Sequence, residues 1–225
     1  MAGDRQQCRG RSLLRVAAAT ASATAAVVGL VRAGRTLGAL PTEVVAALPG
    51  DDVDPEATAV TTRAIRIDAP PAAVWPWLVQ MGYQRGGWYA IDALERLIGA
   101  GDFLTGGSAD RVVPELQDLA VGDRVALNDR AYLVVAHLDV PQALVLVLPS
   151  GPLAWVWSFT LNPVPSPGAD DAPSATRLVV RCRTGARDSW VRPLLPLLEA
   201  GHLVMEVVQL QRLRRRIETA AQPSV

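Results

Sequence analysis

Residues 124–161 read RVALNDRAYLVVAHLDVPQALVLVLPSGPLAWVWSFTL. Four short apolar runs lie in this stretch: Arg124–Leu127, Ala131–Leu138, Ala143–Leu148 and Ala154–Leu161. Asn128-Asp129 and Val140-Pro141-Gln142 supply turns between the first three, so the pattern predicts an antiparallel meander. Trp155, Trp157, Phe159 and Leu161 alternate onto one face of the last run. The second and third runs are apolar on both faces, with Val134 and Leu138 opposed to Leu133 and Val135. Their second face therefore needs a cover other than water. A tip rich in Pro, Ser, Gly and Asp, residues 163–174, separates the fourth run from a fifth, Thr176–Arg183.

Working outward, Thr61–Ile67 alternates with Ile65 and Ile67 on one face and Arg66 on the other, a half-buried strand. Asp68-Ala69-Pro70-Pro71 then opens a helix whose Val74, Trp75, Leu78 and Val79 fall at helical spacing. Pro76 lies inside it, where a proline costs about 3 kcal/mol, so a kink or restart is expected. A second short helix is expected over Tyr89–Ile98, after Gly86 and Gly87, and 99–123 reads as irregular. At the other end, Leu203, Val207, Leu210, Leu213 and Ile217 mark a long helix, with an apolar start at Leu194–Leu198 and Gly201 as a candidate break. The order strand, two short helices, about five antiparallel strands and a long helix is α+β: a curved sheet around a C-terminal helix. Such a grip leaves space for a ligand between sheet and helix.

Composition narrows the chemistry. The 225 residues carry 22 basic and 22 acidic side chains, and all the basic ones are arginine. A neutral, half-hydrophobic chain with mean hydropathy +0.20 is neither a disordered tail nor a dedicated nucleic-acid binder. Without lysine there is no Schiff base, no Lys general base and no P-loop Lys. Cys8 and Cys182 are far apart, and His137 and His202 lack metal-ligand spacing, so neither a disulfide framework nor a metal site is expected.

The N-terminal region reads separately. Val16–Val31 carries no charge, with four arginines before it (Arg5, Arg9, Arg11, Arg15) and Arg32 and Arg35 after it. By the positive-inside rule this favours a basic segment and a single-pass hydrophobic helix over residues 1–35, with the remainder outside the cell membrane. A soluble Ala-rich helix, with a cytoplasmic domain, and a cleaved signal are the alternatives. Residues 36–60, with Pro41, Pro49-Gly50 and an acidic run at 51–54, read as a linker to a domain over 61–225.

The segment RAIRIDAPPAAVWPWLVQMGYQRGG (63–87), followed by Trp88-Tyr89-Ala90-Ile91-Asp92-Ala93-Leu94-Glu95, resembles the opening of bacterial members of the SRPBCC superfamily. These are START-like, helix-grip proteins described as polyketide cyclase/dehydrase and lipid transport proteins. The likeness continues through Ser108–Gln117, Gly122-Asp123 and Gly201–Glu206, and so covers about Arg63 to the C-terminus. Pro49-Gly50-Asp51 echoes the linker that follows the hydrophobic segment in membrane-anchored members. The resemblance implies a helix-grip fold and a cavity beneath the C-terminal helix that binds or carries an apolar small molecule or lipid, with no cofactor. A cyclase or dehydratase acting without metal in that cavity is the alternative, since the superfamily holds binders, carriers and some enzymes.

Candidate residues follow. Trp155, Trp157 and Phe159 line either a pocket or an ordinary core. Gln80, Tyr83, Trp88 and Tyr89, near the junction of the two short helices, are candidates for the pocket mouth. Asp92 and Glu95 share a helix face, where an exposed pair is commoner than an acid/base pair. The resemblance favours a structural Asp92 holding the next loop through Arg111. Arg111 and Glu115 read as an internal ion pair or as contacts to a polar ligand head. His202 and Glu206, one turn apart, allow a carboxylate-oriented imidazole. Catalysis would draw on Tyr83, Asp92, Glu115 or His202. No serine sits in a nucleophile-elbow sequence, so a hydrolase is not expected. Arg212 and Arg214–Arg216 read as a solvated helix face, with anionic lipid as the alternative.

Overall fold

The computed structural model describes residues 28–97, 99, 106–165 and 173–221. The chain divides into two compact units, 1–34 and 35–225. Of the first, residues 28–33 are helical, and the expected N-terminal anchor otherwise lies outside the described residues.

The second unit is a six-stranded antiparallel sheet with one long helix, an α+β helix-grip architecture. The strands are β1 (Ala59–Ile67), β2 (Arg124–Ala126), β3 (Tyr132–Asp139), β4 (Ala143–Val147), β5 (Leu153–Pro165) and β6 (Pro173–Ala186). Their order across the sheet is β1-β6-β5-β4-β3-β2, each paired antiparallel to its neighbour. The meander expected from 124–161 is therefore present. β5 and β6 run further than expected: Pro163 pairs with Thr176 and Val164 with Ala175, so the ladder continues into the stretch read as a tip.

Four helices complete the unit: α1 (Pro41–Val45), α2 (Pro71–Val79), α3 (Asp92–Leu97) and α4 (Leu195–Ala221). α2 is one helix through Pro76, so of the expected kink or restart the restart does not occur. In so short a helix the proline removes one internal hydrogen bond, and Val74, Trp75, Trp77, Leu78 and Val79 are all buried, so packing outweighs that loss. α3 begins at Asp92, not at Tyr89, because Tyr89 takes φ +58, a left-handed conformation that a helix cannot include. α4 runs through Gly201 without a break and buries Glu206, Gln209, Leu210, Leu213 and Ile217. Among the described residues, 189–221 is the one helical stretch long and apolar enough to cross a membrane, by length and composition alone.

One face of the sheet grips α4. The other is covered by residues 37–58, the stretch read as a linker. Here the sequence supplies a row of arginines on alternate outward positions of β6: Arg177, Arg181 and Arg183. Arg181 spends all five of its N–H donors. Nε reaches Thr62 Oγ1 (3.0 Å), Nη1 reaches Asp51 (2.6 Å) and the Ala46 carbonyl (2.8 Å), and Nη2 reaches the carbonyls of Glu43 and Val44 (both 2.9 Å). Those carbonyls are the orphan acceptors at the end of α1, so one guanidinium closes a helix terminus against a sheet. Arg177 forms a two-pronged pair with Glu43 (2.7 and 2.8 Å), and that guanidinium holds the Glu43 carboxyl below its usual range. Arg183 reaches the Asp54 carbonyl and Asp51.

The strap sits close. Gly38 has φ +73, and a Cβ there would lie 2.3 Å from the Ala64 carbonyl oxygen; a Cβ on Gly50 would lie 2.7 Å from Val145. The strap is thus the cover demanded by the apolar outer face of β4, where Val145 is fully buried.

Candidate functional site

The alternation of β5 sends Trp155, Trp157 and Phe159 toward α4. Across the sheet, the register places Trp157 beside Cys182 and Cys182 beside Thr61. From above, α4 presents His202, Glu206 and Gln209 at i, i+4 and i+7, one face of the helix. Between the two lies a cavity of about 420 Å3. Its described wall is mostly apolar, built on Trp88, Trp155, Trp157 and the leucines at the start of α4, with Thr61, Asn128, Cys182, Thr184, Glu199, His202, Glu206 and Gln209 as polar members.

Three indoles form its broad side. Trp157 stacks on Trp88 (centroids 5.5 Å) and on Trp155 (5.6 Å), both at 26°, and His202 sets its ring edge-on to Trp155 and Trp157 at 5.4 Å. Such a surface offers large apolar area of fixed shape. Leu197 is 72% exposed, whereas Gln209 is 1% exposed and Thr61 5%. The cavity therefore opens near the start of α4 and closes toward Gln209.

The closed end holds a buried ion pair between Arg63 and Glu206. Glu206 also accepts from Trp157 Nε1 at 2.9 Å, so its charge is compensated by a cation and an indole donor. His202 Nε2 stands 3.8 Å from Glu206, beyond hydrogen-bond reach. Burial pushes the His202 pKa down, opposed by Glu206, so the imidazole is neutral at pH 7. Cys182 accepts from Trp155 Nε1 at 2.9 Å, and burial pushes its thiol well above the usual range, leaving it protonated and unreactive. Among the described residues, no group of three or more His, Cys, Asp or Glu side chains converges as a metal site.

Of the residues singled out from the sequence, Trp88, Trp155, Trp157 and His202 line the cavity. Phe159 is wholly buried behind Trp157, with ring centroids 4.9 Å apart, and belongs to the core. Gln80 is a buried structural hub: it donates to Tyr89 Oη (2.6 Å) and the Arg111 carbonyl (3.1 Å) and accepts from Val113 N (2.9 Å). Tyr89 is buried beneath Arg216, and burial raises its hydroxyl pKa to about 12. Tyr83 is half-buried outside the cavity wall, its N–H given to the Ala126 carbonyl. These residues tie down the 80–89 loop, whose end carries Trp88 into the cavity.

Asp92 pairs with Arg212 (3.3 Å) and accepts from Ser108 (3.1 Å), so Arg212, and not Arg111, is its cation. Arg212, read as part of a solvated face, also donates to the Ala90 carbonyl. Glu95 is buried and receives the N–H groups of Ala90 (3.0 Å) and Trp88 (3.4 Å); burial raises its pKa. The Asp92 and Glu95 carboxylates thus fasten loops and stand apart from the cavity wall. Arg111 and Glu115 are both exposed, and among the described residues no ion pair joins them. The sequence reading missed Thr61, Cys182 and Gln209. Only Gln209 left a signal, a polar residue seven positions after His202 on the face that Leu210 and Leu213 show to be buried.

No protein-family model matches the chain, and no curated protein matches it. Solved structures resemble the chain at low identity and low TM-score. Protein MLL2253 from Mesorhizobium loti is 16% identical with a TM-score of 0.41, over 73% of this chain and all of the other. DynU16, described as a protein of the dynemicin biosynthetic locus, is 20% identical (TM-score 0.36; 72% of this chain, 48% of that one). CalU16 from Micromonospora echinospora is 14% identical (TM-score 0.32; 69% and 84%).

Proposed function

We propose that this protein binds or carries an apolar small molecule or lipid in the cavity beneath α4. The observation that carries the reading is the open, tryptophan-walled cavity of about 420 Å3, within the size range of small-molecule sites and with a mostly apolar wall. The resemblance to SRPBCC proteins agrees with it. A membrane tether is part of the proposal: the uncharged stretch Val16–Val31 follows four arginines, and the cavity rim exposes Leu197 and Leu198. An apolar rim on a tethered domain suits exchange with a bilayer.

The test uses Nile red, an uncharged apolar dye. It should bind the full chain at one site per molecule with energy transfer from the tryptophans, and Met205→Trp, which fills the cavity, should lower its affinity about 10-fold or more. Absence of saturable binding, or binding indifferent to Met205→Trp, defeats the proposal.

A second reading, a cyclase or dehydratase, is favoured by one observation: His202 alone of Tyr83, Asp92, Glu115 and His202 lines the cavity. Mass spectrometry of a hydrophobic poly-β-carbonyl compound after incubation separates the two. Recovery unchanged supports carriage; loss of water that disappears in His202→Phe supports the enzyme.

A further inference from the structure

Three buried polar atoms at the cavity have no hydrogen-bond partner among the described residues: Gln209 Oε1, His202 Nε2 and Thr61 Oγ1. Gln209 and Thr61 are more than nine-tenths buried. A buried polar atom left unpaired is destabilising, so three that line one cavity call for a ligand as their partner. Their types limit what that partner is. Gln209 gives its amide nitrogen to Met81 Sδ at 3.6 Å, which turns the carbonyl oxygen toward a donor. An amide oxygen only accepts, the hydroxyl of Thr61 does either, and the neutral imidazole contributes one remaining nitrogen.

The charges around the cavity bear on the same question. No arginine is among the described lining residues; the formal charges on the wall are Glu199 and Glu206. Glu199 is held by Arg35 (2.5 and 2.7 Å) and Glu206 by Arg63, so each wall carboxylate already has its cation. An incoming carboxylate would meet an accepting amide oxygen and a committed cation, after losing its own hydration.

We propose that the closed end of the cavity reads an uncharged hydrogen-bond donor, a hydroxyl on an apolar ligand, through Gln209 Oε1, and discriminates against the carboxylate of the same skeleton. Thr61 and His202 offer further polar atoms along the same cavity, and the indole wall holds the apolar body. This rests on the ligand-binding reading above and names the ligand class for it: a neutral alcohol or phenol with a flat or extended hydrocarbon body.

Three fluorescent probes of one skeleton test it on the full chain: pyrenebutanol, its methyl ether and pyrenebutyrate, at about pH 8, where the acid is ionised. The alcohol should bind about 10-fold tighter than the ether or the acid, the preference that a site built around a hydroxyl shows over an analogue lacking it. Gln209→Leu should remove most of that preference while leaving the ether's affinity within about 2-fold, and Thr61→Val should reduce it less, because a hydroxyl is the weaker partner. The wild-type comparison needs no variant to fold. Equal affinity for alcohol and ether, or tighter binding of the acid, overturns the donor reading while Nile red binding leaves the cavity reading standing. If neither Nile red nor any pyrene probe binds, the cavity reading itself fails.

Discussion

The two faces of the sheet treat polar groups in opposite ways. On the outer face, Arg177, Arg181 and Arg183 meet α1 and the acidic strap with nearly every donor used. On the inner face, Thr61, His202 and Gln209 each keep an atom without a partner beside open volume. Each arrangement has its consequence. Saturated, planar guanidinium forks fix one geometry and stabilise it; unsaturated groups around a void store binding capacity at a cost in stability. The contrast is not complete, since Ser158 and Thr160 on the outer side also lack partners and nothing in the structure explains them.

If the outer face is the structural one, breaking its central fork should have the largest effect. Arg181→Leu leaves three carbonyls and Asp51 short of a donor, and should cost about 3 kcal/mol in urea denaturation, with Nile red affinity of the folded fraction unchanged. A loss under about 1 kcal/mol would mean the strap is held by other contacts. Gly38→Ala should follow at about 2 kcal/mol, because it adds a left-handed alanine and a clash with the Ala64 carbonyl.

Changes on the inner face should move binding more than stability. Trp155→Ala removes one indole from a half-exposed position; we expect about 1 kcal/mol in stability and an affinity loss for Nile red of about 10-fold. Comparable losses of stability in Arg181→Leu and Trp155→Ala would erase the distinction between the faces.

The smallest effect is a pH dependence. The folded pKa of His202 lies below the unfolded value near 6.5, so between the two the unfolded chain holds more protons. Stability contributed by the neutral imidazole is therefore present above about pH 6.5 and lost as pH falls through that value toward the folded pKa. The denaturation midpoint should drop on acidification through this window, and His202→Phe should flatten that part of the curve. An identical profile in the variant would show that His202 is not the group responsible.

Much of this was legible in sequence. The alternation in 154–161 placed two cavity tryptophans, and the runs from 124 to 148 gave the meander. The doubly apolar β4 even announced that something covers its outer face, although 36–60 reads as a linker by its prolines and acids. The identity of the cover was hidden because Arg177, Arg181 and Arg183 look like any solvent-facing alternation until their acceptors in the strap, 128 or more residues away, are known. The same holds for Gln80 and Tyr89. Polar groups near a junction suggest a pocket mouth, yet local hydrogen bonds turn them into a brace for Trp88.

Local pattern by itself determined the element types, the antiparallel sheet and the grip helix, because periodicity and turn chemistry act over a few residues. Only the tertiary structure decided which polar groups are spent and which are free. Partner choice depends on distances between segments remote in sequence: Asp92 took Arg212, Glu206 took Arg63, and Gln209, one step along the same helix face, was left with an accepting oxygen at the end of a cavity.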